Sequence, residues 1–147
     1  MVALTLGVAY GLLALIYHHR LIDEYGNRSL AIARVLAAAP RVRGDVAADN
    51  VELPAPANLA EGPLQTLANQ VREATGVLFV VFTDDRGIRL SHPNPDQLGK
   101  PVSTEPYAAL TGEEEVVEQT GTLGESVRAK VPVFAPGSND VVGQVSV

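Results

Sequence analysis

Four basic side chains in the second half of the chain have the types and the spacing that suit carboxylate binding. Arg128 and Lys130 are two residues apart in a predicted strand, so both side chains leave the same face of it. Arg89 and His92 are three residues apart and face opposite ways on an ideal strand, so Pro93 or a twist must re-aim the chain if both serve one site. Like charges on one sheet face repel unless an anion lies between them, and the planar fork of arginine matches a carboxylate. The pattern therefore predicts an anionic ligand.

Neighbouring polar groups are suited to complete such a site. Thr122 and Ser146 carry hydroxyl groups, and the loop Gly121-Thr122-Leu123-Gly124 offers backbone N–H groups to an anion. Two alternatives stay open. The chain has 17 acidic residues and a net charge of -6, so the basic side chains are also compatible with a solvated sheet face paired with internal acids. The glycines are equally compatible with a simple turn.

Composition argues against several other classes of function. The 147 residues suit one domain, and the negative charge argues against a nucleic-acid partner. Without cysteine there is no disulfide and no thiolate metal site, and the adjacent His18 and His19 give little support to a zinc cluster. No nucleophile-elbow, zinc-protease, phosphate-loop or dinucleotide motif occurs. We therefore expect no catalytic residues, no metal and no cofactor in this chain.

The first segment, residues 2–17, contains no charged side chain. Its 16 residues fall short of the roughly 20 that span a bilayer. We predict that residues 1–20 are part of a transmembrane helix and that residues 21–147 form an extracytoplasmic domain. A signal-peptide core and a soluble core helix are the alternatives. His18, His19 and Arg20 weigh against an outward-facing end, because basic residues favour the cytoplasmic side.

The remaining pattern indicates an α+β domain. An amphipathic helix, with an apolar set at residues 32, 35, 36 and 39, is expected to end at Pro40, followed by a loop over residues 41–63 and a second helix over residues 64–75 that stops at Gly76. A short helical turn is expected at residues 107–110. Five strands of an antiparallel sheet are predicted over residues 77–83, 88–92, 115–119, 126–134 and 141–147, with a turn at residues 84–87 and another at residues 136–140.

Four segments in register resemble one known family. They are TDDRGIRLSHPNPDQLGKP (residues 83–101), ALTGEE (109–114), GTLGESVRAKVPVF (121–134) and VVGQVSV (141–147). Together they are similar to the periplasmic sensor domain of the citrate- and four-carbon-dicarboxylate-sensing histidine kinases. The resemblance covers residues 77–147, while the N-terminal half is similar in layout only.

This resemblance implies a PAS-like (PDC-type) sensor fold that binds a carboxylate between a central antiparallel sheet and its covering loops. By resemblance, Lys130 favours citrate, whereas Val81 stands where the citrate sensors carry a hydroxyl residue, so citrate and malate-like ligands both stay open. The ligand-binding positions that the resemblance implies are Arg89, His92, Gly121, Thr122, Leu123, Arg128, Lys130 and Ser146.

The expected function is extracytoplasmic sensing of a small di- or tricarboxylate. The parent protein would be a membrane sensor histidine kinase that transfers phosphate from ATP to a histidine. It would be attached to the membrane through flanking helices, and it would be a homodimer. One alternative is a sensor of the same fold in a chemoreceptor or a cyclase. Another is a dimerisation or adhesion module that senses nothing. A secreted enzyme has the least support, because no nucleophile–base set is present.

Overall fold

The structure is a computed structural model that describes residues 2–103 and 108–147. Four helices are followed by four strands, with two short 3-10 turns between β1 and β2, at Pro95–Gln97 and Ala108–Thr111. The expected helical turn at residues 107–110 thus corresponds to the second of these, although Tyr107 lies outside the described residues. The elements are α1 (Val2–Ala38), α2 (Pro40–Val51), α3 (Pro56–Ala60), α4 (Pro63–Thr75), β1 (Val81–Asp84), β2 (Glu115–Gly121), β3 (Gly124–Phe134) and β4 (Val141–Ser146).

The strands form one antiparallel sheet in the order β1-β4-β3-β2. The prediction of five strands is wrong, because residues 88–92 make only isolated bridges, from Arg89 to Thr83 and from Ile88 to Pro101. Backbone hydrogen bonds still join the segment to β1, from the N–H of Leu90 to the carbonyl of Phe82 at 2.8 Å and from the N–H of Asp84 to the carbonyl of Ile88 at 3.1 Å. The hydroxyl of Ser91 adds two more, because it accepts from the backbone N–H of Phe82 at 2.9 Å and donates to the carbonyl of Val80 at 3.1 Å. The segment therefore stays attached to β1 without becoming a strand.

Prolines begin three of the helices. The predicted loop over residues 41–63 is wrong, because it contains most of α2 and the whole of α3, which begin at Pro40 and Pro56. The predicted second helix is confirmed as α4, which begins at Pro63 and ends at Gly76 in the left-handed conformation (φ 74°). At the first helical position a proline loses no hydrogen bond and its fixed φ suits the helix. The prolines that suggested a loop are thus starting signals.

Helix α1 lies against one face of the sheet along its C-terminal half. Its buried stripe includes Gly26, Ala33 and Ala37, whereas Val35, expected on the apolar face, is exposed. Gly26 permits a close approach, since a Cβ there would lie 2.8 Å from Cγ1 of Val116 on β2. Residues 6–20 of α1 are exposed. In the part of the chain that the structure describes, no helix combines the length and the apolar character needed to cross a bilayer.

Gly143 on β4 lies very close to both β1 and α2. It lies opposite Asp84 of β1, and a Cβ there would overlap the carbonyl oxygen of Thr83 and lie 2.8 Å from Cγ1 of Val46. Both neighbours are buried, and one is backbone, so neither has room to move. Only glycine fits this position.

We therefore expect Gly143→Ala to lower the free energy of unfolding by about 1–3 kcal/mol, the usual cost of overpacking a core. Gly44→Ala is the matched control: it lies within α2 with open space around it, so alanine should raise the free energy of unfolding by about 0.5–1 kcal/mol. Urea denaturation of both variants measures the difference. Equal stabilities would contradict this account of β4.

Candidate ligand-binding cavity

One row of residues crosses all four strands of the sheet. Glu115 of β2 lies opposite Lys130 of β3, Lys130 lies opposite Ser146 of β4, and Ser146 lies opposite Val81 of β1. Side chains alternate along a strand, so the intervening residues face the helices and this row faces the other way. The sheet thus divides its side chains between a hydrophobic core and a polar face.

A narrow cavity, partly open to solvent, lies on the polar face of the sheet. The hairpin turn between β2 and β3 and the loop after β1 complete its walls. Every residue that the sequence predicted for the site lines this cavity except Gly121. The lining residues are Phe79, Val81, Thr83, Arg89, His92, Val102, Ser103, Thr122, Leu123, Arg128, Lys130, Gln144 and Ser146.

Arg89 and His92 reach the same cavity because the chain leaves strand geometry after the bridge at Arg89. The turn before them, predicted over residues 84–87, is held by the buried carboxylate of Asp84, which accepts from the backbone N–H groups of Arg86 at 2.9 Å and Ile88 at 2.8 Å. The alternation that would separate Arg89 from His92 does not apply to an irregular segment.

The guanidinium of Arg89 is positioned from the side of the loop. It donates to the carbonyl of Pro101 at 2.6 Å and makes longer contacts with Oε1 of Gln97 at 3.4 Å and Oγ of Ser103 at 3.5 Å. Only 4% of the residue is exposed. These contacts fix the side chain in one orientation before any ligand arrives.

His92 is held on both ring nitrogens. Nδ1 lies 2.9 Å from the backbone N and 3.1 Å from the carbonyl O of Asn94, and Nε2 lies 3.1 Å from Oγ1 of Thr122. Burial lowers the pKa of His92 below its usual 6.5; a backbone hydrogen bond to Asn94 partly opposes this, and the positive charges of Arg89, Arg128 and Arg72 add to it. The ring is therefore mostly neutral at neutral pH, and the Thr122 hydroxyl is the partner of its Nε2.

Arg128 lies over the ring of Phe79, with Cζ 4.9 Å from the ring centroid, and its Nε donates to Oγ of Ser126 at 3.0 Å. Burial, and then the charge of Arg89, lower the pKa of Arg128. Gly121 provides the space for this side chain, since a Cβ there would overlap the guanidinium. The structure thus places Gly121 behind Arg128 rather than in the cavity wall, and the glycine segment forms the β2–β3 hairpin turn.

Lys130 is the most deeply buried of the basic residues, with 1% exposed. Its Nζ lies 3.4 Å from Oε1 of Glu115, an ion pair rather than a hydrogen bond. Burial lowers the pKa of Lys130, and the carboxylate of Glu115 partly opposes that shift. Among the residues that the structure describes, both atoms of this ion pair, and also Oε1 of Gln144 and Oγ of Ser146, are buried without a hydrogen-bond partner.

Sequence reasoning missed Thr83 and Gln144, which also line the cavity. A signal for both was present, because each is two residues from a position considered for the site, Val81 and Ser146, and a spacing of two keeps side chains on one face. Phe79, Val102 and Ser103 carried no such signal. Within residues 2–103 and 108–147, no three His, Asp or Glu side chains lie close enough together to hold a metal ion.

Comparisons with known proteins agree with the resemblance. The sequence profile of the single cache domain 3 family matches residues 18–147. The chain is 32% identical over 113 residues to the sensor histidine kinase DcuS of Escherichia coli K12. The aligned region covers 76% of this chain and 19% of the relative. The chain is 31% identical over 133 residues to the sensor protein CitS of Halalkalibacterium halodurans, covering 89% and 23%. The chain thus spans about a fifth of the length of these relatives.

The three-dimensional structure matches as well. The crystal structure of the E. coli DcuS sensor domain superposes with a TM-score of 0.70 at 30% identity, covering 85% of this chain and 87% of that one. The PAS-like fold implied by the resemblance is confirmed, with four strands in place of five. The chain belongs to the single cache domain 3 family, and it is a sensor domain of the kind found in the histidine kinase DcuS.

Proposed function

We propose that this chain is the extracytoplasmic sensing domain of a membrane sensor histidine kinase and that its cavity binds a small di- or tricarboxylate. The observation that carries the proposal is the set of buried polar groups around the cavity. Arg89, His92, Arg128 and Lys130 converge there, and two buried donors, the Lys130 ammonium and the Ser146 hydroxyl, lack a hydrogen-bond partner among the described residues. Buried polar groups left unpaired cost free energy, which an anionic guest with several acceptors would recover.

The hydrogen bonds available in the cavity provide enough free energy to bind such a ligand with micromolar affinity. A hydrogen bond to a charged group contributes about 1.5–3 kcal/mol. Three or four of them, less the cost of ordering the ligand, reach roughly the -8 kcal/mol of micromolar affinity. The guanidinium groups of Arg89 and Arg128 supply most of the charge, the Lys130 ammonium supplies a donor, and Thr122 and Ser146 supply hydroxyl groups.

Binding produces a signal only if the ligand prefers one conformation of the domain. A guest in this cavity bridges the loop that carries Arg89 and His92 to the strands β3 and β4. We propose that it draws these parts together and that the resulting shift relative to α1 is passed on to a kinase. The exposed and mostly apolar residues 6–17 of α1 would then lie in the membrane or against a second copy of the chain.

A thermal-shift screen against citrate, isocitrate, malate, succinate, fumarate and tartrate tests the ligand class. At least one of these should raise the melting temperature, because a ligand at 100 times its Kd adds about 2.7 kcal/mol to stability. Arg89→Ala should abolish the ligand-induced shift. Arg41→Ala, which removes an exposed arginine of α2 instead, should retain it. The absence of a shift with every acid would contradict the proposal.

A pair of buried serines separates a binding role from a structural one. Ser146→Ala should leave the free energy of unfolding unchanged or raise it by up to about 1 kcal/mol, because its hydroxyl has no partner among the described residues, while it weakens ligand binding about five- to tenfold. Ser91→Ala should instead lower stability by about 1–3 kcal/mol, since its hydroxyl is bonded twice. Denaturation and titration calorimetry measure the two effects. A Ser146 variant that is destabilised yet binds normally would refute this role.

The dependence of binding on pH follows from His92. Its pKa is lowered in the free protein, and a bound carboxylate would raise it. Between the free and bound pKa values the ring takes up a proton on binding, so affinity should increase as pH falls, by at most about tenfold per pH unit. Titration calorimetry near pH 6 and near pH 8 measures this change in affinity. Fumarate is a suitable ligand because it stays ionised at both pH values. His92→Gln should remove the dependence, and equal affinities of the wild type would contradict a protonated His92.

A further inference from the structure

Glu115 is an acidic residue beside a cavity surrounded by basic ones. It is the first residue of β2, directly opposite Lys130 of β3, and its Oε1 lies 3.4 Å from the ammonium nitrogen. Its side chain is 18% exposed, compared with 2% for Lys130. The carboxylate therefore lies next to the cavity without lining it, and its interaction with the ammonium is only weakly screened by water.

This carboxylate affects what Lys130 can offer a guest. A buried ammonium without a counter-charge tends to lose its proton, so Glu115 helps to keep Lys130 charged. The same carboxylate cancels much of the field of that ammonium inside the cavity, because opposite charges at this separation act at a distance as a dipole. Lys130 thus remains a hydrogen-bond donor while it contributes little net charge.

We propose that Glu115 is a specificity-determining residue that makes the cavity favour dicarboxylates over tricarboxylates; this inference rests on the proposed carboxylate-binding function. A carboxylate that lies beside Lys130 also meets the negative charge of Glu115. Such like-charge repulsion grows with the charge of the guest, so it penalises a trianion more than a dianion. Lys130 alone would have the opposite effect, which is why the pair and not the lysine sets the preference.

Citrate and malate form a matched pair for the test, because citrate is malate with one additional carboxymethyl group. Titration calorimetry near pH 8, where both acids are fully ionised, gives the ratio of their Kd values, citrate over malate. In Glu115→Gln, which keeps the shape of the side chain and removes its charge, this ratio should fall at least about tenfold. Glu118→Gln is the control. It makes the same change of net charge at an exposed position of the same strand, and it should leave the ratio unchanged.

A second variant guards against an effect of altered folding. The double substitution Glu115→Gln with Lys130→Gln removes both charges of the pair, so the ratio should return towards the wild-type value even if both affinities decrease. Unfolding curves confirm that each variant is folded.

The possible results separate the two proposals. If both acids bind and Glu115→Gln changes their Kd values by the same factor, the specificity inference is overturned and the sensing function stands. If neither acid binds the wild type or the Glu115→Gln variant, the specificity inference is overturned, and the sensing function is overturned only if the other acids of the thermal-shift screen fail as well. A double variant whose ratio stays at that of Glu115→Gln would show that the effect does not arise from charge compensation of Lys130, and it would also overturn the inference.

Discussion

Basic side chains lie close together on one face of a sheet whose other face is packed against helices. Much of the surrounding structure reduces the electrostatic repulsion between them. Arg89, His92 and Lys130 are each less than 5% exposed, so water does little to screen their mutual repulsion. The protein manages the repulsion locally. Arg128 lies on an aromatic ring, Arg89 is surrounded by oxygen acceptors, His92 is neutral and Lys130 faces a carboxylate. Each device keeps a donor in the cavity while limiting the electrostatic cost of having it there.

The polar face was predictable from the sequence to a large extent, because a spacing of two residues is a reliable property of strands. That rule placed Arg128 with Lys130, and applied once more it would have placed Gln144 with Ser146 and Thr83 with Val81. Residue type suggested Arg89, His92 and Thr122, and the resemblance implied the same residues, although no periodicity determines the positions of loop residues. Gly121 shows the limit of both arguments, since its part in the site is the space it leaves for Arg128 behind the cavity wall.

The failed fold predictions have two physical causes. Prolines at residues 40, 56 and 63 were interpreted as breaks, yet each occupies the first helical position, where the ring stabilises the start of a helix. The residues after the Asp84 turn have the composition of a strand, but only part of their backbone pairs with β1, and the backbone N–H of Phe82 donates to the hydroxyl of Ser91 instead of to a carbonyl. A side chain that competes for backbone hydrogen bonds leaves no trace in a pattern of apolar residues.

β4 contributes to both faces of the sheet in alternation. Gln144 and Ser146 line the cavity, whereas Val145 between them is fully buried in the core that packs on α1 and α2. One backbone links these side chains rigidly, so a displacement of the strand by an occupant on one side also moves what is packed on the other. The hydrophobic core of this domain therefore transmits displacement, and its tight packing determines how much of a small movement of β4 reaches the helices.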